Sequence, residues 1–104
     1  MADTSAARRN EILEVLKEVV DPELMMNIVD LGLVYRVEEK DGRIEIDYTL
    51  TTPGCPIGPE IEEQIVRAVE DHTGCGVAAT LVWLPRWGAE FMSDEAKITL
   101  GFPV

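Results

Sequence analysis

Positive charge is scarce in this sequence. Across 104 residues, 9 Lys and Arg stand against 20 Asp and Glu, a formal net charge of −11. A protein that holds nucleic acid by its phosphates needs a cationic face, and so does one drawn to anionic lipid. Neither partner fits this chain. Long apolar runs are also missing: no stretch approaches the ~18 residues of a membrane span. Residues 1–9 have no apolar segment behind their charges, so they do not read as a secretory signal, and a cytoplasmic location is expected. Cysteine is limited to Cys55 and Cys75, and histidine to His72. Two cysteines suit a reducing compartment, where a thiol is reactive, metal-binding or buried more often than cross-linked. An iron–sulfur cluster usually takes four protein ligands, mostly thiolates. One well-placed cysteine therefore needs ligands from a second copy, a partner or a small thiol.

What is present reads as one domain over residues 1–104, with residues 1–5 as a flexible tail. The length matches a single compact unit and leaves no room for separate cofactor and substrate domains. Hydrophobic residues at 46% and charged residues at 28% exclude a disordered chain. From about residue 5 to 20, Ile12, Leu13, Val15, Leu16, Val19 and Val20 recur mostly at steps of three and four, which predicts an amphipathic helix. It should stop near Asp21, because Pro22 disfavours helical geometry in the residue before it. Asp21-Pro22-Glu23-Leu24 then reads as a short helical turn, with Asp at the cap, Pro at the first position and an acid in the first turn.

Residues 33–37 are rich in strand formers, and Asp41-Gly42 is a hairpin signal. From Arg43 to Leu50 the chain alternates: Ile44, Ile46, Tyr48 and Leu50 on one face, Glu45, Asp47 and Thr49 on the other. That is a half-buried antiparallel strand. A Pro- and Gly-dense loop over residues 51–59 leads into a second amphipathic helix over about 59–73, closed by Gly74. A third strand is expected over 77–84, then a loop, then a short helix from the Ser93 cap to Leu100, closed by Gly101. The order α-β-β-α-β-α predicts an α/β (α+β) fold. A right-handed crossover returns the third strand to a small mixed three-stranded sheet with helices packed on one side.

Cys55 is the most informative residue. It sits between Pro53 and Pro56, beside Gly54, just before a helix start. Unpaired N–H groups there favour an anion, so a thiol so placed can ionise near neutral pH. The thiolate is the form that ligates metal or attacks electrophiles, although a small buried residue in a tight turn is the plain alternative. Cys75 and His72 lie at the other end of that helix, on the order of 20 Å away. A Cys55–Cys75 disulfide is beyond reach, as is a Cys55–His72 catalytic pair. Asp21 and Glu23 offer oxygen ligands or a proton acceptor, or serve only as caps. Thr49, Thr51 and Thr52 form a hydroxyl row approaching Cys55. Trp83 and Trp87, with Arg86 between them, can make a partner-binding edge, although a strand tryptophan such as Trp83 usually belongs to the core.

Three segments carry a resemblance: Asp21-Pro22-Glu23; Ile28-Val29-Asp30-Leu31-Gly32-Leu33-Val34-Tyr35; and Thr49-Leu50-Thr51-Thr52-Pro53-Gly54-Cys55-Pro56. In this order they resemble the small metal–sulfur cluster assembly family, over about residues 12–101. Its members include cytosolic iron–sulfur targeting proteins, accessory proteins of the Suf pathway and the phenylacetate-degradation D subunit. The resemblance implies an iron–sulfur cluster assembly-type domain and an accessory role in building clusters or delivering them to client proteins. Cys55 would be the reactive thiolate or metal ligand, with Asp21, Glu23, Thr51 and Thr52 around it. The cofactor so implied is a transient cluster or iron shared with a second subunit or partner. The partners are the assembly machinery and client apoproteins, with a homodimer as a further option. The sequence departs from the family's W-D-P-P-W segment, reading Trp83-Leu84-Pro85-Arg86-Trp87, and lacks the cysteine-rich C-terminal extension of the phenylacetate type. A stand-alone Suf-type factor, not a turnover enzyme, is the expectation. The alternatives are an interaction adaptor with no metal of its own, or a thiol enzyme using Asp21 or Glu23 as base.

Overall fold

The computed structural model describes residues 5–51 and 58–102. Its elements are α1 (Ala6–Leu16), β1 (Val20–Asp21), β2 (Met26–Asn27), β3 (Val34–Lys40), β4 (Arg43–Tyr48), α2 (Gly58–Thr73), β5 (Gly76–Leu81), a 3-10 turn (Ala89–Phe91) and α3 (Asp94–Leu100). The long elements follow the expected α-β-β-α-β-α order, with the short β1–β2 pair added.

Ser5 belongs to the first helix as its N-cap, accepting a hydrogen bond from the Arg8 N–H at 3.1 Å. The helix ends four residues earlier than its apolar pattern suggests. The Glu18 and Val19 N–H groups bond to the Val15 and Leu16 carbonyls, a tightening last turn. Val19 and Val20 are β-branched and favour extended backbone. Val19 turns into the core, 1% exposed, while Val20 pairs with Asn27. Segment 21–24 makes the expected short turn and goes no further, closed by the Met25 N–H on the Asp21 carbonyl. Asp21 pairs with Met26 and the chain reverses between them, with Met25 in the left-handed region at φ 56°.

β3 and β4 form the expected hairpin. Asp41 and Gly42 both have positive φ, 54° and 76°, the signature of a tight turn whose twist suits the strands. β5 returns parallel to β4, giving the mixed sheet order β3-β4-β5. Ile44, Ile46 and Tyr48 are buried on one face of β4, against Ile12 and Leu16 of α1 and Ile61, Ile65 and Val69 of α2. The opposite face is polar: Arg36 reaches Asp47 at 3.0 Å, Glu45 at 3.1 Å and Glu38 at 2.7 Å. Ser93 caps α3 by accepting from the Ala96 N–H, and Gly101 closes it at φ 85°. Ala96 and Leu100 of that helix join the same core.

Candidate functional site

The Asp-Pro-Glu turn is held by its own first residue. Asp21 Oδ1 accepts from the Glu23 N–H at 2.8 Å and the Leu24 N–H at 3.4 Å, and the Asp21 carbonyl accepts from the Met25 N–H at 2.7 Å. Asp21 is only 2% exposed. Glu23 is exposed on the turn. The capping chemistry read in the sequence is therefore real, and it caps a single short turn closed by that four-residue bond, as expected.

A relay of main-chain bonds joins this hairpin to the end of β4. The Ile28 N–H donates to Val19, the Leu33 N–H to Ile28 and the Thr49 N–H to Leu33, at 2.8–3.0 Å. Asn27 and Asp30 lock the intervening bend: the Asp30 N–H donates to Asn27 Oδ1 at 2.9 Å and Asn27 Nδ2 to Asp30 Oδ2 at 2.7 Å. The same bend anchors the later part of the chain. Trp87 Nε1 donates to the Leu31 carbonyl at 2.8 Å, and the Ser93 N–H to the Asp30 carbonyl. Gly32, at φ 77°, lies so close to Phe91 that a Cβ there would collide with its backbone. Segment 27–33 thus ties together the acidic turn, the exit of β4 and the Trp87 loop. Sequence reasoning treated this stretch only as a motif; the Asn27-x-x-Asp30 spacing of two short turn-forming side chains was the available signal.

Of the threonines, Thr49 is fully buried, and its hydroxyl finds no hydrogen-bond partner among the described residues. Thr51 is partly exposed. With Leu50, Trp83, Leu84, Arg86 and Trp87 it lines a groove of about 370 Å³. The core assignment for Trp83 does not hold. It lies past the end of β5 and is 41% exposed, with Leu84 beside it at 84%. Strand pairing ends at Leu81, so the alternation that would have turned Trp83 inward stops short of it. Thr52 and Cys55 lie outside the described residues. The described ends on either side of that segment are in contact: a Cβ at Gly58 would sit 3.3 Å from Leu50 Cδ1.

The other end of α2 carries the remaining candidates. His72 is half-exposed, with Nε2 2.8 Å from Glu11 Oε2. Bonds from His72 first, and then Arg8, hold the Glu11 carboxyl below its usual range. Cys75 is a free thiol, 3.7 Å from Arg8 Nη2 and 3.8 Å from Glu39 Oε2. Arg8 also bonds Glu39 at 2.9 Å. This group ties α1 to the end of β3 and lies the length of a 16-residue helix from the start of α2, ~24 Å. Among the described residues no group of three His, Cys, Asp or Glu is placed to hold a metal ion. No helix among them is long and apolar enough to cross a membrane.

The chain belongs to the iron–sulfur cluster assembly protein family, whose model matches residues 9–82. It is 42% identical over 97 residues to the Fe-S protein maturation auxiliary factor YitW of Bacillus subtilis, covering 91% of this chain and 95% of that one. To the Fe-S protein maturation auxiliary factor SufT of Staphylococcus aureus it is 44% identical over 85 residues, covering 80% and 97%. A crystal structure of a domain of unknown function, DUF59, from Bacillus anthracis superimposes with a TM-score of 0.85 at 35% identity, covering 90% of this chain and 92% of that one. The protein's role lies in iron–sulfur cluster assembly or delivery.

Proposed function

We propose that the chain is a cytoplasmic accessory factor that handles a cluster, or its iron, in transit to client apoproteins, with Cys55 as the thiolate ligand. It is not a turnover enzyme in this reading. The observation that supports it most is the convergence of the capped Asp21 turn and the Thr49–Thr51 exit on one bend, at the strand end that leads directly into the Cys55 segment. The cluster is cargo and not a resident group. One thiolate leaves the remaining positions to the assembly machinery, the client or a second copy. Glu23, exposed on a rigid turn, sets the charge beside that segment, and Thr51 and Thr52 supply hydroxyl donors. Thiolate ligands suit iron–sulfur centres, and the surrounding hydrogen bonds tune them.

A second reading, an adaptor with no metal of its own, draws on the groove beneath Trp83 and Leu84. Exposed apolar side chains beside a concave surface are what a partner-binding site offers. One experiment separates the two readings: anaerobic isolation of the protein and of a Cys55→Ala variant, with iron and sulfide analysis. Iron that accompanies the wild type and disappears from the variant is the expected result. Metal-free protein in both cases would favour the adaptor.

A further inference from the structure

We infer that the outer edge of β5 accepts an extended segment of a partner protein as a fourth strand, one patterned basic–x–apolar–x–basic. The inference goes beyond the cysteine-based reading and does not depend on it.

The sheet has two edges, and only one is guarded. β3 carries Arg36, Glu38, Glu39 and Lys40, together with a register shift between Val34 and Arg36. Charges and bulges are what natural sheets use to discourage edge pairing. β5 has neither. From Gly76 to Leu84 the chain contains no charged residue and no proline, in a protein where 28% of residues are charged.

The edge is also open. The Val82 N–H donates to the Tyr48 carbonyl at 2.8 Å, which fixes the alternation. The even-numbered backbone groups face β4, and those of Val77, Ala79 and Leu81 face away. The Val77 N–H meets only Glu70 Oε2, at 3.4 Å. No strand among the described residues pairs with this side. The side chains of Val77, Ala79 and Leu81 point toward the helices yet stay partly exposed, whereas their β4 counterparts Ile44, Ile46 and Tyr48 are buried. An added strand would supply the missing cover.

The flank of α2 specifies the occupant. Glu62 accepts from the Tyr48 hydroxyl at 3.0 Å, and Glu70 reaches Val77, so the ridge Glu62–Val66–Glu70 runs along the β5 side of the helix. The cleft toward α1 is lined instead by Gln64, Ala68 and Asp71. Eight helical residues span ~12 Å, and four strand residues span ~13 Å. Side chains at i, i+2 and i+4 of an added strand would thus lie against Glu62, Val66 and Glu70 in turn: basic, apolar, basic. A second copy is a poor occupant, because its own acidic ridge would face this one.

The test titrates the full chain with a short capped peptide centred on Lys-Thr-Val-Thr-Lys, and with its Glu-Thr-Val-Thr-Glu counterpart. Binding is read by amide NMR shifts, hydrogen exchange and fluorescence anisotropy. Saturable shifts should centre on Val77, Ala79 and Leu81, with exchange slowed at Ala79 and Leu81. The acidic peptide should bind at least about ten-fold more weakly, since two attractive charges become two repulsive ones. Glu62→Gln and Glu70→Gln should each weaken the basic peptide about two- to five-fold. Ala79→Pro removes an outward N–H that the β4 ladder does not use. It should abolish binding with the circular dichroism unchanged; if that variant misfolds, the two Gln variants and the exchange data decide. Equal binding of both peptides, shifts away from β5, or a dimer in sedimentation that Ala79→Pro dissociates would overturn the proposal.

Discussion

At the scale of single residues, Asp21 is the clearest case of a side chain whose chemistry is legible and whose context is not. Asp before Pro is a capping signal in any setting. Whether it opens a long helix or a single turn depends on Val20, four residues past the end of α1, pairing with Asn27, which is a tertiary fact. Replacing Asp21 by Ala removes the acceptor for two backbone N–H groups. The expected cost is about 1–2 kcal/mol, or roughly 5–15 °C in the thermal midpoint of a domain this size. Asn at the same position should recover most of the loss. A second residue-scale prediction concerns Tyr48, a buried phenol whose pKa is pushed up, first by desolvation and then by its bond to Glu62. The unfolded chain releases that proton near pH ~10, while the folded chain keeps it. Stability should therefore fall as pH rises above that value. Thermal melts from about pH 9 to 11 should show a shallower decline for Tyr48→Phe than for the wild type. An unchanged slope would mean that this hydroxyl does not set the alkaline limit.

At the scale of elements, the long helices and strands were readable because each has one buried face: the 3.6-residue stripe of α2 and the two-residue alternation of β4 both match the observed burial. The errors came where packing overrides pattern. The apolar stripe runs past Leu16, but Val19 and Val20 leave the helix to build the β1–β2 pair. Trp83 looks like a strand residue, yet β4 has no partner for it beyond the end of the ladder. The bend at 27–33 was the least legible part of the candidate site, because beyond the Asn27–Asp30 side-chain lock its ties to β4 and to the later chain are bonds to main-chain groups, which leave little pattern. Gly32 tests its importance. A Cβ there would fall 2.7 Å from the Phe91 Cβ and closer still to the Phe91 carbonyl, at a positive φ. Gly32→Ala should cost about 3 kcal/mol or more. Gly74→Ala, also at positive φ but with nothing within 4 Å, should cost only about 1–2 kcal/mol. Equal losses in urea unfolding would contradict the view that Gly32 clamps the 3-10 turn onto the bend.

At the scale of the whole molecule, the net charge of −11 and the long α2 divide the labour. One end of the helix carries the His72–Glu11 and Arg8–Glu39–Cys75 contacts that tie α1 to α2 and β3. The other end adjoins the exit of β4 at Leu50, which lines the groove under Trp83. The proposed function places the cluster-handling site at that second end. The described cysteine and histidine, Cys75 and His72, are engaged at the first end, and the proposed function assigns iron to Cys55. The most direct measurement is made in cells that lack this chain, by following the activity of an iron–sulfur enzyme that depends on it. The wild-type chain should restore that activity, and Cys55→Ala, present at the same level and with the same thermal midpoint, should not. Full restoration by the Cys55→Ala chain would contradict the account.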